Sequence, residues 1–248
     1  MSALLAGHGL RKSFRGFDAV DGADLVVEPG ERRAVIGPNG AGKTTLFNLL
    51  TGLLRPDAGT VELEGREITG LPPQAVAAAG ISRAFQVTSI FGALSVLQNV
   101  QVALFSSSGT TARPWGRAWS ERREEALAVL EEVGLAARAA TPAETLSHGE
   151  QRALELALAL ALEPKLLLLD EPTAGMAPDE TARAMELVRR VVAERRITLL
   201  FCEHDMEVVF GTADRVTVMH EGRVLAEGTP DEVRADARVR EVYLGGGA

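Results

Sequence analysis

Little in this chain suits it to cross-linking, stacking or crossing a bilayer. A single cysteine, Cys202, in 248 residues excludes an internal disulfide and fits a reducing compartment. Aromatic side chains make up 4%, so stacking surfaces for bases or sugars are scarce. The longest apolar run, Leu156 to Leu162, has seven residues, against the roughly 20 that a membrane-spanning helix needs. The opening residues Met1-Ser-Ala-Leu-Leu-Ala lack a basic segment ahead of a long apolar core, so no secretory signal is expected. Positive charge is not in surplus: 26 basic against 34 acidic residues leave a net charge of −8. That balance disfavours a general nucleic-acid binder but leaves room for a local basic pocket for phosphates. No internal repeat or low-complexity tract appears. A composition 46% hydrophobic and 24% charged is that of a globular chain, read here as soluble and cytoplasmic, with one large domain or a core plus a small lobe.

Runs of Val, Ile and Leu alternate with helix-like stretches, which predicts an α/β layered fold. Expected strands are Asp24–Glu28, Arg33–Ile36, Thr60–Leu63, Lys165–Leu169, Ile197–Cys202 and Arg215–Met219. Two of these are nearly unbroken apolar runs, as in parallel strands buried on both faces. A hairpin is expected around Glu221-Gly222. Between Gln86 and Glu163 helical patterns take over, at Leu94–Leu104, Ser120–Val133 and Glu150–Leu162, with Ser106–Gly116 as a loop. Thr229-Pro-Asp-Glu232 is a capping box with Pro at the first helical position.

Three patterns carry chemistry. Gly37-Pro-Asn39-Gly40-Ala41-Gly42-Lys43-Thr44 is a complete G-x-x-x-x-G-K-T loop between a strand and the helix-like Thr45–Leu50. Its glycines let backbone N–H groups converge on phosphate, Lys43 adds a point charge, and the Thr44 hydroxyl is placed for Mg²⁺. Leu166-Leu-Leu-Leu-Asp170-Glu171-Pro172 is an apolar strand ending in two carboxylates. Asp170 would face the Mg²⁺ shell and Glu171 would polarise an attacking water. Together these two motifs imply nucleoside-triphosphate hydrolysis. The third, Leu146-Ser147-His148-Gly149-Glu150-Gln151, places a Ser and Gly at a helix start, either an anion site or an ordinary N-cap.

In the order phosphate loop, Gln86, Leu146–Gln151, Asp170-Glu171, His204, the sequence resembles the ATP-binding cassette (ABC) ATPases. The resemblance implies a phosphate-loop NTPase cassette: a RecA-like core at about 1–86 and 164–228, an antiparallel β subdomain, an inserted helical lobe at about 87–163 and a helical tail at about 229–248. It implies ATP and Mg²⁺ as cofactors, held by the loop from Gly37 through Thr45 and by Asp170. Two cassettes would stack head to tail, so that Ser147 and Gly149 complete a site on the partner. Gln86 matches a glutamine that senses Mg²⁺ and water, and His204 a histidine that contacts the γ-phosphate. Phe14 takes the place of an adenine-stacking ring, with Phe17 close by and either ring able to serve the core. Departures are His148, Glu150 and Ala177, where the family carries Gly, Gln and Asp. Within the family the chain looks most like the ATP-binding subunits of branched-chain amino acid importers, in Gly37–Gly52, Ser82–Phe91, Leu146–Glu155 and the tail from Gly228 to Gly245. That likeness also extends to importers of amides, urea or aromatic acids and, less closely, to lipopolysaccharide-extracting cassettes. It implies a second cassette, identical or related, two separate membrane permeases docked along Gln86–Leu97, an extracytoplasmic binding protein, no nucleic-acid partner, and a peripheral position on the cytoplasmic face of the inner membrane. A translation-type or chromosome-maintenance cassette would need two cassettes in one chain or a long coiled coil, and a phosphate-loop kinase leaves Leu146–Gln151 and His204 unexplained.

Overall fold

A computed structural model describes residues 3–84, 90–107 and 122–244 of the chain. Among these, one mixed sheet has the order β10-β9-β3-β8-β7-β6, formed by β3 (Arg32–Ile36), β6 (Ile81–Ala84), β7 (Leu166–Asp170), β8 (Thr198–Cys202), β9 (Arg215–His220) and β10 (Arg223–Gly228). Every neighbouring pair is parallel except β9–β10, which is the expected hairpin. The apolar strands alternate between two cores because successive side chains leave a strand on opposite faces. Leu167 and Leu169 of β7, Leu199 and Phe201 of β8, and Ala34 and Ile36 of β3 enter one cluster. Leu166, Leu168, Leu200, Cys202 and Val35 enter the other. Burial on both faces is why these segments read as unbroken hydrophobic runs.

The second cluster is covered by helix α1 (Lys43–Leu50), through Leu46 and Phe47, and by a smaller antiparallel sheet. That sheet has the order β2-β1-β4-β5, from β1 (Leu5–Phe14), β2 (Phe17–Val27), β4 (Ala58–Leu63) and β5 (Arg66–Glu67). The strand expected at Asp24–Glu28 is therefore the end of an eleven-residue strand that stops at Val27. Its outer half carries Asp18 and Asp21, and β1 pairs with it through register shifts, so neither shows clean alternation. Helix α2 (Pro73–Ala79) and strand β6 are short elements that the pattern did not announce.

The first cluster is covered by α3 (Val96–Ser107), α4 (Arg123–Glu132), α5 (His148–Leu160) and α6 (Pro178–Arg195). Their bounds differ modestly from those expected. Helix α3 begins two residues after Leu94, because Ser95 and Gln98 close a side-chain to backbone turn around its start. It also takes in Ser106 and Ser107 of the expected loop, whose remainder lies outside the described residues. Helix α5 begins two residues before Glu150 because Ser147 caps it. Helix α7 (Met206–Thr212) follows β8, and the Thr229 cap opens α8 (Pro230–Ala235) with both halves of its box formed. Val233 and Val239 anchor this tail to the first cluster. Among the described residues, no helix is long and apolar enough to cross a membrane.

Candidate active site

The strand ends set the site. In the parallel ladder Val35 of β3 and Asp170 of β7 both stand opposite Cys202 of β8, so three strands finish at one level. The loops that follow carry Gly37–Gly42, Glu171 and His204. A crevice beyond the carboxyl ends of parallel strands is the usual place for a ligand in such sheets.

After Ile36 the backbone turns so tightly that a Cβ on Gly37 would lie 2.3 Å from the Met219 carbonyl oxygen. Gly42 has φ of 99°, and a Cβ there would lie 2.2 Å from the Ala19 carbonyl oxygen. Only glycine fits at both positions. Gly40, by contrast, faces open space on the cavity side. Helix α1 starts with neither a side-chain cap nor an acidic residue in its first turn, which leaves its positive end to an anion. Lys43 is buried and folds back over the loop, donating from Nζ to the carbonyl oxygens of Gly37 at 2.7 Å and Pro38 at 3.0 Å.

Across the cleft, strand parity directs Asp170 to the α1 side of the sheet. It is buried, and its Oδ2 accepts from Arg83 Nη2 at 2.7 Å. The same guanidinium donates from Nη1 to Asn48 Oδ1 on α1 at 2.6 Å and lies over the Phe47 ring. Burial holds the Arg83 pKa below its ordinary value despite the hydrogen bond that it donates to Asp170. Glu171 leaves the strand in the left-handed region, with φ of 51°. Its N–H donates to the Cys202 carbonyl at 2.9 Å, and its Oε1 lies 2.9 Å from His204 Nε2.

Asn39, Gly40, Ala41, Gly42, Lys43, Thr44, Thr45, Glu171 and His204 line one cavity of about 250 Å³, so most of the expected site is brought together. Phe17 also lines it. Phe14, its partner across the end of the β1–β2 hairpin, is exposed beside Lys12 and is not part of the lining. Neither ring is in the core. Gln86 lies outside the described residues. Ser147 and Gly149 sit apart from this cavity, at the start of α5. There Ser147 Oγ accepts from the Glu150 N–H at 3.3 Å, and Glu150 Oε2 accepts from the Ser147 N–H at 2.9 Å. Arg138 Nε donates to the other Glu150 oxygen at 2.9 Å, so the unexpected charge is paired. Ala177 supplies only its backbone, donating to Glu180 at 3.3 Å, while Asp179 lies in the first turn of α6. Pattern reading missed Arg83, Asn48 and Glu203, whose partners lie far away in sequence.

Among the described residues no cluster of three or more His, Cys, Asp or Glu could hold a metal on its own. Mg²⁺ keeps several waters and borrows substrate phosphates, so a hydroxyl at Thr44 and a carboxylate at Asp170 are a sufficient protein donor set. These residues fit the ion.

A phosphate loop behind a central parallel strand, facing paired carboxylates and a histidine, defines a phosphate-loop nucleoside triphosphatase. Comparisons with known proteins narrow this class. Residues 20–174 match the family described as ABC transporter, and residues 223–248 match the branched-chain amino acid ATP-binding cassette transporter family. The chain is 41% identical to the high-affinity branched-chain amino acid transport ATP-binding protein LivG of Salmonella typhimurium, over 98% of each chain. It is 39% identical to BraF of Pseudomonas aeruginosa, with the same coverage, and 38% identical to the lipopolysaccharide export ATP-binding protein LptB of Acidithiobacillus ferridurans, over 99% of this chain and 98% of that one. A crystal structure of an ABC transporter cassette in its ADP conformation superposes with a TM-score of 0.87 at 32% identity, covering 99% and 100% of the two chains. A dimeric bacterial ABC cassette gives 0.78 at 25% identity, over 91% and 98%. The chain belongs to the ABC transporter ATP-binding family and is an ATP-hydrolysing transporter subunit, as its motif order implies.

Proposed function

We propose that this subunit powers uptake of branched-chain amino acids, or a related small solute, through separate permease chains. The observation that carries the reading is full-length likeness to importer subunits together with the family match of the tail at 223–248. The LptB likeness supports a second reading, lipopolysaccharide export, but that family match of the tail favours import. In the importer assembly the chain pairs with a second cassette, identical or related. It lies peripherally at the cytoplasmic face of the inner membrane, and an extracytoplasmic binding protein delivers the solute. A groove of about 270 Å³ beside exposed Phe91, lined also by Asn99 and Val102, supports docking of a permease near the Gln86–Leu97 strip.

The mechanism follows from the site. The loop amides and the α1 N-terminus hold the β- and γ-phosphates, and Lys43 exchanges its carbonyl contacts for phosphate oxygens. A nearby aromatic ring, Phe14 by position in the chain, stacks on adenine. Thr44 and Asp170 would hold Mg²⁺, joined by Gln86 as the family resemblance implies, and the ion would supply neutralisation of phosphate charge. As the γ-phosphate and a water enter, the Glu171–His204 contact opens. Glu171 then accepts the water proton as the water attacks the γ-phosphorus. The bond from that phosphorus to the β–γ bridging oxygen breaks so that ADP leaves, and His204 donates a hydrogen bond to a γ-phosphate oxygen. Ser147 and Gly149 of each chain close the site on the other. Glu171→Gln in the purified chain should retain ATP binding, favour the dimer and lose turnover by about 10²–10⁴-fold. Normal steady-state ATPase in that variant would remove Glu171 from the role. In reconstituted vesicles containing the permeases, ATP-dependent uptake of leucine, isoleucine or valine supports the importer reading, and lipopolysaccharide release without uptake overturns it.

A further inference from the structure

One buried carboxylate near the site has no part in this mechanism. Glu203 follows the last residue of β8, precedes His204 and is only 3% exposed. Both of its oxygens are used. Oε1 accepts from the Thr173 N–H at 2.8 Å and from the Thr173 hydroxyl at 2.6 Å, while Oε2 accepts from the His204 N–H at 3.1 Å. No ion pair reaches it among the described residues, so these donors are what stabilise it there.

The location gives that bonding a purpose. The β7–β8 ladder ends with Asp170 opposite Cys202, and the Glu171 N–H to Cys202 carbonyl bond is the last backbone link between the two strands. Beyond it, Glu171 adopts a left-handed conformation that a non-glycine residue keeps only when its surroundings impose it. The segment then turns, with the Ala174 N–H donating to the Glu171 carbonyl, and Thr173 sits inside this turn. The Glu203 side chain therefore continues the connection where the backbone ladder stops. One oxygen grips the loop that presents Glu171, and the other grips the peptide that presents His204. We propose that Glu203 is a positioning residue, which holds the Glu171 and His204 loops in register for hydrolysis without touching nucleotide.

The bonding pattern makes this specific. All three partners of Glu203 donate, so only a group with two acceptor oxygens satisfies them. In Glu203→Gln one end becomes an amide donor, which must oppose either the His204 N–H or the Thr173 pair. Thr173→Val keeps the N–H donor and removes only the hydroxyl.

This inference rests on the catalytic assignment of Glu171 and His204, so Glu171→Gln and His204→Ala are measured alongside on the full-length chain. Glu203→Gln should lower kcat by about ten- to a hundredfold, the scale of a small misplacement of reacting groups. Its KM for ATP and its affinity for a fluorescent ATP analogue should stay within about twofold, the split that separates turnover from binding. Thr173→Val should show the same split with a smaller loss of kcat, and it keeps the test open if Glu203→Gln fails to fold. Combining the two should cost less than the product of the separate losses, because they cut one network. Parent-like kcat in Glu203→Gln and Thr173→Val, with Glu171→Gln and His204→Ala inactive, overturns the positioning role alone. ATP affinity falling in step with kcat also overturns it and makes Glu203 merely structural. Retained turnover in Glu171→Gln and His204→Ala instead overturns the catalytic reading beneath it.

Discussion

Arg83 shows how much one side chain carries at this site. Its guanidinium is the cation paired with buried Asp170, and it also reaches Asn48 on α1. Removing one member of a buried pair leaves the other charge uncompensated, which costs about 3–5 kcal/mol. Arg83→Met should therefore lower stability by about that amount in urea unfolding, whereas Arg122→Met, at an exposed helical pair, should change it by about 1 kcal/mol or less. Equal effects would remove the special standing of Arg83. The two hairpin rings are a second case. Phe14→Ala should weaken ATP binding by about 1–3 kcal/mol, the scale of base stacking on an aromatic ring. An unchanged Kd there, with a loss in Phe17→Ala, would transfer adenine to the ring that lines the cavity.

Among the elements, α5 shows the interplay of cap and charge most clearly. The backbone hydrogen bond from Ser147 holds the Glu150 carboxyl below its ordinary value of 4.5, with the Ser147 hydroxyl side and Arg138 assisting. A carboxyl depressed in the folded chain contributes stability above its ordinary value and loses it as pH falls through the depressed one. Protection of the amides at the start of α5, measured against their intrinsic exchange rates at each pH, should therefore fall below about pH 4.5 in the parent. Glu150→Gln can still accept from Ser147 and should flatten that acid dependence. Helix α5 was legible in the sequence because its cap, its glycine and its apolar stripe lie within a few residues of each other. So were β7 and β8, whose two-sided burial leaves almost no polar residue, and the phosphate loop, whose spacing is its chemistry. The β1–β2 hairpin was not, since its exposed acidic positions and irregular register blur alternation. Arg83 and Glu203 escaped for another reason. Their partners Asp170 and Thr173 lie 87 and 30 residues away, a distance that only the folded sheet closes.

For the molecule as a whole, the lone thiol is a gauge of opening. Cys202 is 1% exposed, and burial pushes its pKa up to about 12, so neither access nor thiolate favours reaction near neutral pH. A thiol reagent should modify it only through unfolding of the central sheet. ATP at a hundred times its Kd adds about 2.7 kcal/mol, and labelling should slow by about a hundredfold. Rapid labelling indifferent to ATP would show that the sheet opens locally instead. The common level of the strand ends carries one further consequence, for how this chain can change length. Dropping a residue inside β7 would turn Asp170 away from α1 and draw Glu171 back by about 3.3 Å. The turns at the opposite edge, around Gly30, Pro164 and Arg196, carry no such constraint. Insertions and deletions should therefore be tolerated at that far edge and lethal to turnover within the strands, so the molecule keeps count of its residues only between those turns and the cleft.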